Sequence, residues 1–205
     1  MAAFEPRRGV DSRAGTALFL KRWLRRPFAM GAVVPSGRFL TEAMACSTLE
    51  AIEGRPGCVV ELGAGTGVVT HALLAAGIAT DRLALVERDR ELAAFLHKRF
   101  PGPKILEGDA EHLPDLLRAA NISTVAAVVS SLPLLSLPAA IVDGIVRGTF
   151  AALPKGAALV QFTYGLTPPV RRELRDGLDL VAAHGPRIWR NVPPAVVWTF
   201  RERAT

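Results

Sequence analysis

The feature of this sequence that most constrains its fold is an apolar run that leads directly into a loop of alternating glycines. Residues 59–67 have the sequence Val-Val-Glu-Leu-Gly-Ala-Gly-Thr-Gly, and a helix is predicted from about Val68 onwards. Glycines let the backbone turn tightly between a strand and a helix, and they let a ligand approach the main chain closely. The run therefore predicts a strand, a ligand-binding loop and a helix in direct succession.

The remainder of the chain alternates between short apolar strands and helices. Such alternation builds a mostly parallel sheet that helices cover on both faces. Two further strands follow one another near the end of the chain and are predicted to be antiparallel. We therefore predict an α/β, Rossmann-like fold with a seven-stranded sheet. The predicted strands are 58–62, 83–86, 104–106, 125–129, 157–163, 179–184 and 195–201, and the helices after the first strand are 68–76, 89–99, 111–120 and 138–152.

The first quarter of the chain is predicted to be a helical extension. A helix over 17–26 would gather apolar side chains on one face and basic side chains beside them, the composition of a helix that lies in a membrane interface. A second helix is predicted over 38–52. We assign residues 1–52 to this extension and 53–205 to one compact domain. The predicted membrane-contacting residues are Phe19, Lys21, Arg22, Trp23, Arg25 and Arg26.

Charge and hydropathy narrow the class of protein. The chain has 205 residues and a net charge of +6, and its basic excess lies in residues 1–50 and 161–205. Basic ends indicate an acidic partner, either a nucleic-acid backbone or an anionic membrane surface. Residues 119–142 carry no charge, but two prolines and four serines interrupt them, so we predict a buried strand, a loop and a helix start rather than a membrane span.

Cysteine usage and the first residues of the chain indicate the compartment. Cys46 and Cys58 have no second pair of cysteines and no histidine at ligand spacing, so neither a zinc site nor a disulfide framework is expected. The apolar stretch 17–20 ends at once at Lys21, and no signal peptide is recognised. We predict a reduced, cytoplasmic protein that needs no metal.

The glycine loop fits two classes of ligand, a dinucleotide and S-adenosylmethionine. A dinucleotide loop would place a small residue at position 68, where this chain has Val68. Glu61 would also repel a pyrophosphate, whereas it would attract the cationic ammonium and sulfonium groups of S-adenosylmethionine. The sequence therefore favours the methyl donor.

Two more acidic residues are predicted at the carboxyl ends of neighbouring strands. Glu87 ends the second strand, twenty residues beyond Gly67, where a carboxylate can accept from both ribose hydroxyls. Asp109 follows the third strand, where it can accept from an adenine amino group. Three acids in register at one edge of an open α/β sheet predict a nucleoside-binding site more specifically than any one of them does.

These residues resemble the class I S-adenosylmethionine-dependent methyltransferases over 57–163. Within that family the chain is similar to the bacterial phospholipid N-methyltransferases that convert phosphatidylethanolamine to phosphatidylcholine. The finer resemblance rests on 19–27 with 31–36, on 131–135 and on 188–194. It implies a class I methyltransferase fold and a peripheral enzyme on the inner face of the cytoplasmic membrane. The predicted cofactor-binding residues are Glu61, Gly63, Ala64, Gly65, Gly67, Glu87, Arg88, Asp109, Ala110 and Ser130.

The segment after the fourth strand indicates the class of methyl acceptor. Enzymes that methylate the amino group of adenine carry a polar residue there and an aromatic ring that stacks on the base. Here residues 131–134 are Ser-Leu-Pro-Leu, and Leu134 provides no ring. An apolar mouth suits a lipid better than a base. The predicted substrate-contacting residues are Ser131, Leu132, Tyr164, Arg190 and Asn191, with Tyr164 as the candidate that positions the amine.

From these observations we expect transfer of the sulfonium methyl group to the amine of phosphatidylethanolamine, repeated towards phosphatidylcholine. We expect an anionic membrane surface and the phospholipid as partners, and no nucleic acid. Oligomeric state has no signature in the sequence, and a monomer is the default expectation. Two alternatives stay open: a ribosomal-RNA adenine dimethyltransferase-like enzyme, which would explain the basic ends, and a membrane-associated protein that binds S-adenosylmethionine without catalysis.

Overall fold

The computed structural model describes residues 35–204, which form a seven-stranded sheet with helices on both faces. The helices are α1 (Pro35–Ala51), α2 (Val68–Ala75), α3 (Arg90–Arg99), α4 (Leu113–Ala119), α5 (Ala139–Ala152) and α6 (Arg172–Gly177). The strands are β1 (Cys58–Leu62), β2 (Leu83–Glu87), β3 (Lys104–Glu107), β4 (Val125–Ser130), β5 (Ala158–Thr163), β6 (Leu180–His184) and β7 (Val196–Glu202). Three short 3-10 helices lie at Thr80–Arg82, Ala110–His112 and Leu134–Ser136.

The strand order is β3-β2-β1-β4-β5-β7-β6. The first five strands run parallel, and β7 pairs antiparallel with both β5 and β6. The order reverses between β1 and β4, so the crevice at the carboxyl ends of these two strands is where an open α/β sheet binds its ligand. The predicted fold, a mostly parallel seven-stranded sheet with antiparallel last strands, is confirmed.

Two apolar layers hold the helices on the sheet. On one face, Leu40 and Met44 of α1 pack with Leu73 of α2 and with residues of β1, β4 and β5. On the other face, α4 and α5 pack on the sheet around Leu113 and Val146. Strands β1, β2, β4 and β5 lie between these layers and are buried on both sides, which is why they consist mainly of Val, Leu and Ala. Helix α1 lies within the residues assigned to the N-terminal extension, and its buried side chains belong to the same core as the sheet.

Two helices differ from the prediction by more than a residue or two. Helix α1 includes Pro35, three residues before the predicted start, because proline is tolerated in the first turn of a helix. Helix α6 was not predicted, because its six residues contain one buried apolar side chain, Leu174, and therefore no helical periodicity. Within residues 35–204, no helix combines the length and the apolar character needed to cross a bilayer. The predicted membrane helix over 17–26 lies outside the described residues.

Candidate functional site

The glycine loop joins β1 to α2 with a backbone that only glycine adopts easily. Gly63 and Gly67 have φ angles of 70° and 79°, in the left-handed region. A Cβ atom at Gly63 would lie 2.4 Å from Cδ2 of Leu132, and one at Gly67 would lie 2.2 Å from Cε2 of Phe100. The loop therefore needs glycine for its backbone conformation and for its close packing against the neighbouring elements. The tight strand–helix turn predicted from the sequence is present.

Glu61 lies in β1 and is completely buried. Thr70 of α2 donates its hydroxyl to Oε2 of this carboxyl over 2.6 Å. Burial raises the pKa of Glu61 to about 8, against the opposing influence of the Thr70 hydroxyl. Glu61 Oε1 and Ser131 Oγ are both buried and have no hydrogen-bond partner within residues 35–204. A buried acid with a free oxygen beside a glycine loop is suited to a cationic ligand that donates hydrogen bonds.

Glu87 ends β2 and turns its carboxylate towards the same loop. Its Oε2 accepts from the backbone N–H of Gly65, and its Oε1 accepts from the backbone N–H of Asp89, each over 2.8 Å. The side chain is buried, and burial raises its pKa. Asp89 in turn caps α3, since its Oδ1 accepts from two backbone N–H groups of the first turn. Glu87 is therefore held firmly between the glycine loop and the start of α3.

Asp109 follows β3 and forms an ion pair with Arg88, with 3.1 Å between Oδ2 and Nη1. Its Oδ1 accepts from the backbone N–H of Glu111 and so begins the 3-10 helix that contains the buried Ala110. Glu61 lies in β1, Glu87 ends β2 and Asp109 follows β3, and these three strands are neighbours in the sheet. The predicted row of acids at one edge of the sheet is thus present, although Asp109 already has a basic partner.

The segment after β4 is fixed by two polar side chains. Ser130 is buried, and its hydroxyl accepts from the backbone N–H of Leu132 over 3.3 Å. Gln161 of β5 donates its amide to the carbonyl oxygens of Leu132, over 3.0 Å, and of Phe162, over 2.9 Å. Gln161 is fully buried, and its Oε1 has no partner among the described residues.

Gln161 is a site residue that the sequence analysis missed. The available signal was a single amide inside the apolar strand Ala-Leu-Val-Gln-Phe. A buried amide needs partners that an apolar strand cannot supply, so such a residue indicates a polar task nearby. Thr70, which donates to Glu61, was missed for a similar reason, because a threonine in a helix has many ordinary roles.

The predicted acceptor residues are placed differently from one another. Tyr164 follows β5, is 44% exposed, and packs edge to face on Phe162 with 5.4 Å between ring centroids. Partial burial raises the pKa of its phenol. Arg190 is exposed and stacks over Phe39 of α1, with 5.3 Å from its guanidinium carbon to the ring centroid. Asn191 is buried, and its side chain donates to the carbonyl of Pro193, so it holds its own turn together. The predicted membrane-contacting residues Phe19 to Arg26 lie outside the described residues.

No family model matches this chain, but it is similar to several known proteins. The chain is 32% identical over 125 residues to an ornithine lipid N-methyltransferase of Singulisphaera acidiphila, which covers 59% of this chain and 63% of that protein. It is 34% identical over 99 residues to a ribosomal RNA small subunit methyltransferase A of Synechococcus, covering 47% of this chain and 31% of that protein. The chain therefore spans less than two thirds of the length of either relative.

Solved structures share the fold over nearly the whole chain. The magnesium protoporphyrin IX methyltransferase of Synechocystis, solved with S-adenosylmethionine, superposes with a TM-score of 0.66 at 12% identity and covers 97% of this chain and all of that one. The didemethyltoxoflavin N1-methyltransferase of Burkholderia thailandensis, solved with S-adenosylhomocysteine, gives 0.60 at 16% identity over 98% of this chain and 94% of that one. The chain has the class I, Rossmann-like fold of S-adenosylmethionine-dependent methyltransferases.

Proposed function

We propose that this chain is a methyltransferase that uses S-adenosylmethionine to methylate the headgroup amine of phosphatidylethanolamine. The assignment of the cofactor rests on one observation, the glycine loop with two buried acids beside it. Glu61 offers a free buried oxygen to the ammonium group, and Glu87 lies against the loop where a ribose would be held. Relatives and solved neighbours that act as methyltransferases support the same assignment.

The class of methyl acceptor is proposed from the side chains that lie beside this cofactor site. The segment after β4 presents Leu132 and Leu134, both buried, and an exposed Leu135, with no aromatic ring among them. Apolar side chains exclude water from the reacting groups and suit the region where a lipid headgroup meets its acyl chains. The ornithine lipid N-methyltransferase supports this choice of class, since that relative acts on a lipid amine as its name states.

The reaction is a direct displacement. The lone pair of a neutral amine attacks the methyl carbon, the carbon–sulfur bond breaks, and the sulfonium becomes the neutral thioether of S-adenosylhomocysteine. The nitrogen gains the positive charge and must lose a proton before the next methyl transfer. The protein's tasks are to align donor and acceptor and to exclude water. In this proposal the Tyr164 hydroxyl would position the amine, and the Arg190 guanidinium would contact the lipid phosphate. The enzyme would act as a peripheral protein on the inner face of the cytoplasmic membrane.

A ribosomal-RNA adenine methyltransferase is the second candidate, because several curated relatives are ribosomal RNA methyltransferases. These relatives match at most 47% of this chain. An adenine acceptor needs a stacking surface after β4, and the side chain at the relevant position is Leu134. The lipid candidate therefore fits this site better. A protein that binds the cofactor without catalysis is the third candidate.

One experiment separates the three candidates. The protein is incubated with S-adenosylmethionine labelled in its methyl group and with vesicles of phosphatidylethanolamine, vesicles of ornithine lipid, vesicles of phosphatidylcholine alone, or ribosomal RNA. Label in the phosphatidylethanolamine fraction supports the proposal, and the rate should rise with pH because only the neutral amine attacks. Label in ornithine lipid alone moves the assignment to that amine. Label in RNA alone, or cofactor binding without any transfer, overturns it.

Two variants test the acceptor side. Tyr164→Phe removes only a hydroxyl and should lower kcat while cofactor affinity stays the same, as expected for a contact made in the reacting complex. Arg190→Ala should raise the KM for phosphatidylethanolamine more than it lowers kcat. Arg201→Ala is the matched control, because it removes the same charge near the far end of β7. Equal effects of the two arginine variants would contradict the phosphate role.

A further inference from the structure

Exposed apolar side chains are concentrated on three loops of the described chain. Leu135 follows β4, Tyr164 and Leu166 follow β5, and Trp189 and Val192 precede β7. Trp189 is 69% exposed and Val192 is 79% exposed, the largest value among the large apolar residues that the structure describes. Large apolar side chains that are exposed together on one surface commonly mark an interaction site. We call these five residues the edge surface.

The sheet topology brings the three loops to one end of the molecule. Thr163, the last residue of β5, pairs with Val196, the first residue of β7. The chain leaving β5 and the chain entering β7 therefore emerge at the same edge, which is the carboxyl end of the parallel strands. A Cβ atom on Gly165 would lie 3.8 Å from Cδ1 of Leu135, so the loops after β4 and β5 lie side by side. The edge surface thus borders the candidate site.

Within the three loops that carry the edge surface, the charged residues have one sign. Residues 131–138, 164–170 and 185–195 contain no Asp or Glu, and their charged residues are Arg187 and Arg190. The guanidinium carbon of Arg187 lies 4.3 Å from the centroid of the Trp189 ring. An exposed tryptophan with an arginine stacked on it, beside aliphatic side chains, has the composition that proteins use at the boundary between lipid headgroups and acyl chains.

We infer that the edge surface docks on an anionic lipid bilayer, with the turn that carries Trp189 and Val192 entering the headgroup region. This inference rests on the proposed function, and it assigns membrane contact to the methyltransferase domain itself. Arg187 and Arg190 would contact lipid phosphates while the apolar side chains lose contact with water. The candidate site would then open towards the membrane, so that a headgroup amine reaches it without leaving the bilayer.

The test compares two exposed aromatic sites in the full-length protein. In the docking variant, Trp189→Ser and Val192→Ser are combined; both side chains are exposed, so folding should be retained. In the control, Phe95→Ser removes a 41% exposed ring of α3 that also carries an arginine, Arg99, over its face at 5.8 Å. Binding to vesicles of phosphatidylglycerol and phosphatidylcholine is measured by sedimentation. We expect binding to weaken about tenfold in the docking variant and to stay unchanged in the control.

Further measurements separate failure of this inference from failure of the proposed function. With phosphatidylethanolamine in vesicles the docking variant should lose activity, whereas with a monomeric short-chain phosphatidylethanolamine it should match the wild type. Unchanged vesicle binding overturns the inference, whatever the activity. A change in sedimentation coefficient without loss of vesicle binding also overturns it, because the edge surface is then a contact between copies. Weakened vesicle binding in a protein that methylates no lipid supports the docking surface and refutes only the acceptor.

Discussion

The buried carboxyl of Glu61 predicts that cofactor affinity depends on pH. Its pKa is about 8 because the side chain is fully buried. At pH 7 the group is therefore neutral in the empty protein, and it must lose its proton to pair with the ammonium group of S-adenosylmethionine. Each pH unit below the pKa adds about 1.4 kcal/mol to the cost of that ionisation. Affinity should accordingly rise about tenfold from pH 6 to pH 7.

The perturbation is Glu61→Gln, which keeps the size of the side chain and an oxygen that can accept from Thr70. The variant has no proton to release, so its affinity should be lower at pH 7.5 and should lack the rise between pH 6 and pH 7. Affinities are compared only up to about pH 7.5, because the amino group of the cofactor begins to lose its own proton close to pH 8. Glu173→Gln, an exposed position on α6, is the control and should keep the pH dependence.

The assay is titration calorimetry at pH 7 in two buffers with different ionisation enthalpies. The wild type should release about one proton for each cofactor bound, since the carboxyl is about 90% protonated one unit below its pKa. The Glu61→Gln variant should release none from this site. A wild type with equal affinity at pH 6 and pH 7 and no proton release would refute the reasoning, as would a variant that keeps the full slope.

Four other predictions concern stability and the residues that line the site. Without cofactor, the folded state holds the Glu61 proton between about pH 5 and pH 8, and the unfolded state does not. The free energy of unfolding of the wild type, measured in urea, should therefore fall relative to that of Glu61→Gln by about 1.4 kcal/mol for each unit that the pH rises in this range. Parallel pH dependences of the two proteins would contradict this. Glu87→Ala should weaken cofactor binding by about 1.5–3 kcal/mol in calorimetry, as for a lost charge-assisted hydrogen bond, and unchanged affinity would remove its assigned role. Gln161→Leu should lower turnover more than cofactor affinity, because it frees the segment after β4; equal losses would place the residue in the cofactor site. Gly67→Ala should introduce backbone strain of about 1–2 kcal/mol and an overlap with Phe100, and should therefore lower the midpoint temperature of thermal unfolding by at least about 2 °C. An unchanged midpoint would show that the loop relaxes without cost.

The parallel part of the fold was predictable because its signals are local. Each of β1 to β5 is a short, mainly apolar run, and a helix lies between each strand and the next. The position of β7 was not predictable in the same way. Its insertion between β5 and β6 depends on pairing of Thr163 with Val196, which are far apart in the sequence. Antiparallel pairing itself was inferred correctly from the absence of a crossover helix.

The positions of the site residues were predictable where a sequence motif fixes the backbone. They were less predictable where the hydrogen-bond partners of a side chain depend on the tertiary structure. Gly63, Gly67, Glu61 and Glu87 lie where the strand and loop pattern placed them. Asn191 is an example, because its sequence position beside Arg190 gave no sign that its amide donates to the carbonyl of Pro193. Hydrogen-bond partners of this kind depend on a turn geometry that composition does not encode.

The contact between Gly63 and Leu132 has a consequence for redesign of this protein. One residue belongs to the loop proposed for the methyl donor and the other to the segment proposed for the acceptor, and there is no room between them even for a methyl group. A larger side chain at position 132, introduced to recognise a new acceptor, would displace the glycine loop. A smaller side chain would remove the contact that supports this loop. Acceptor range and donor affinity should therefore change together in any library built at this position, and selections should screen both.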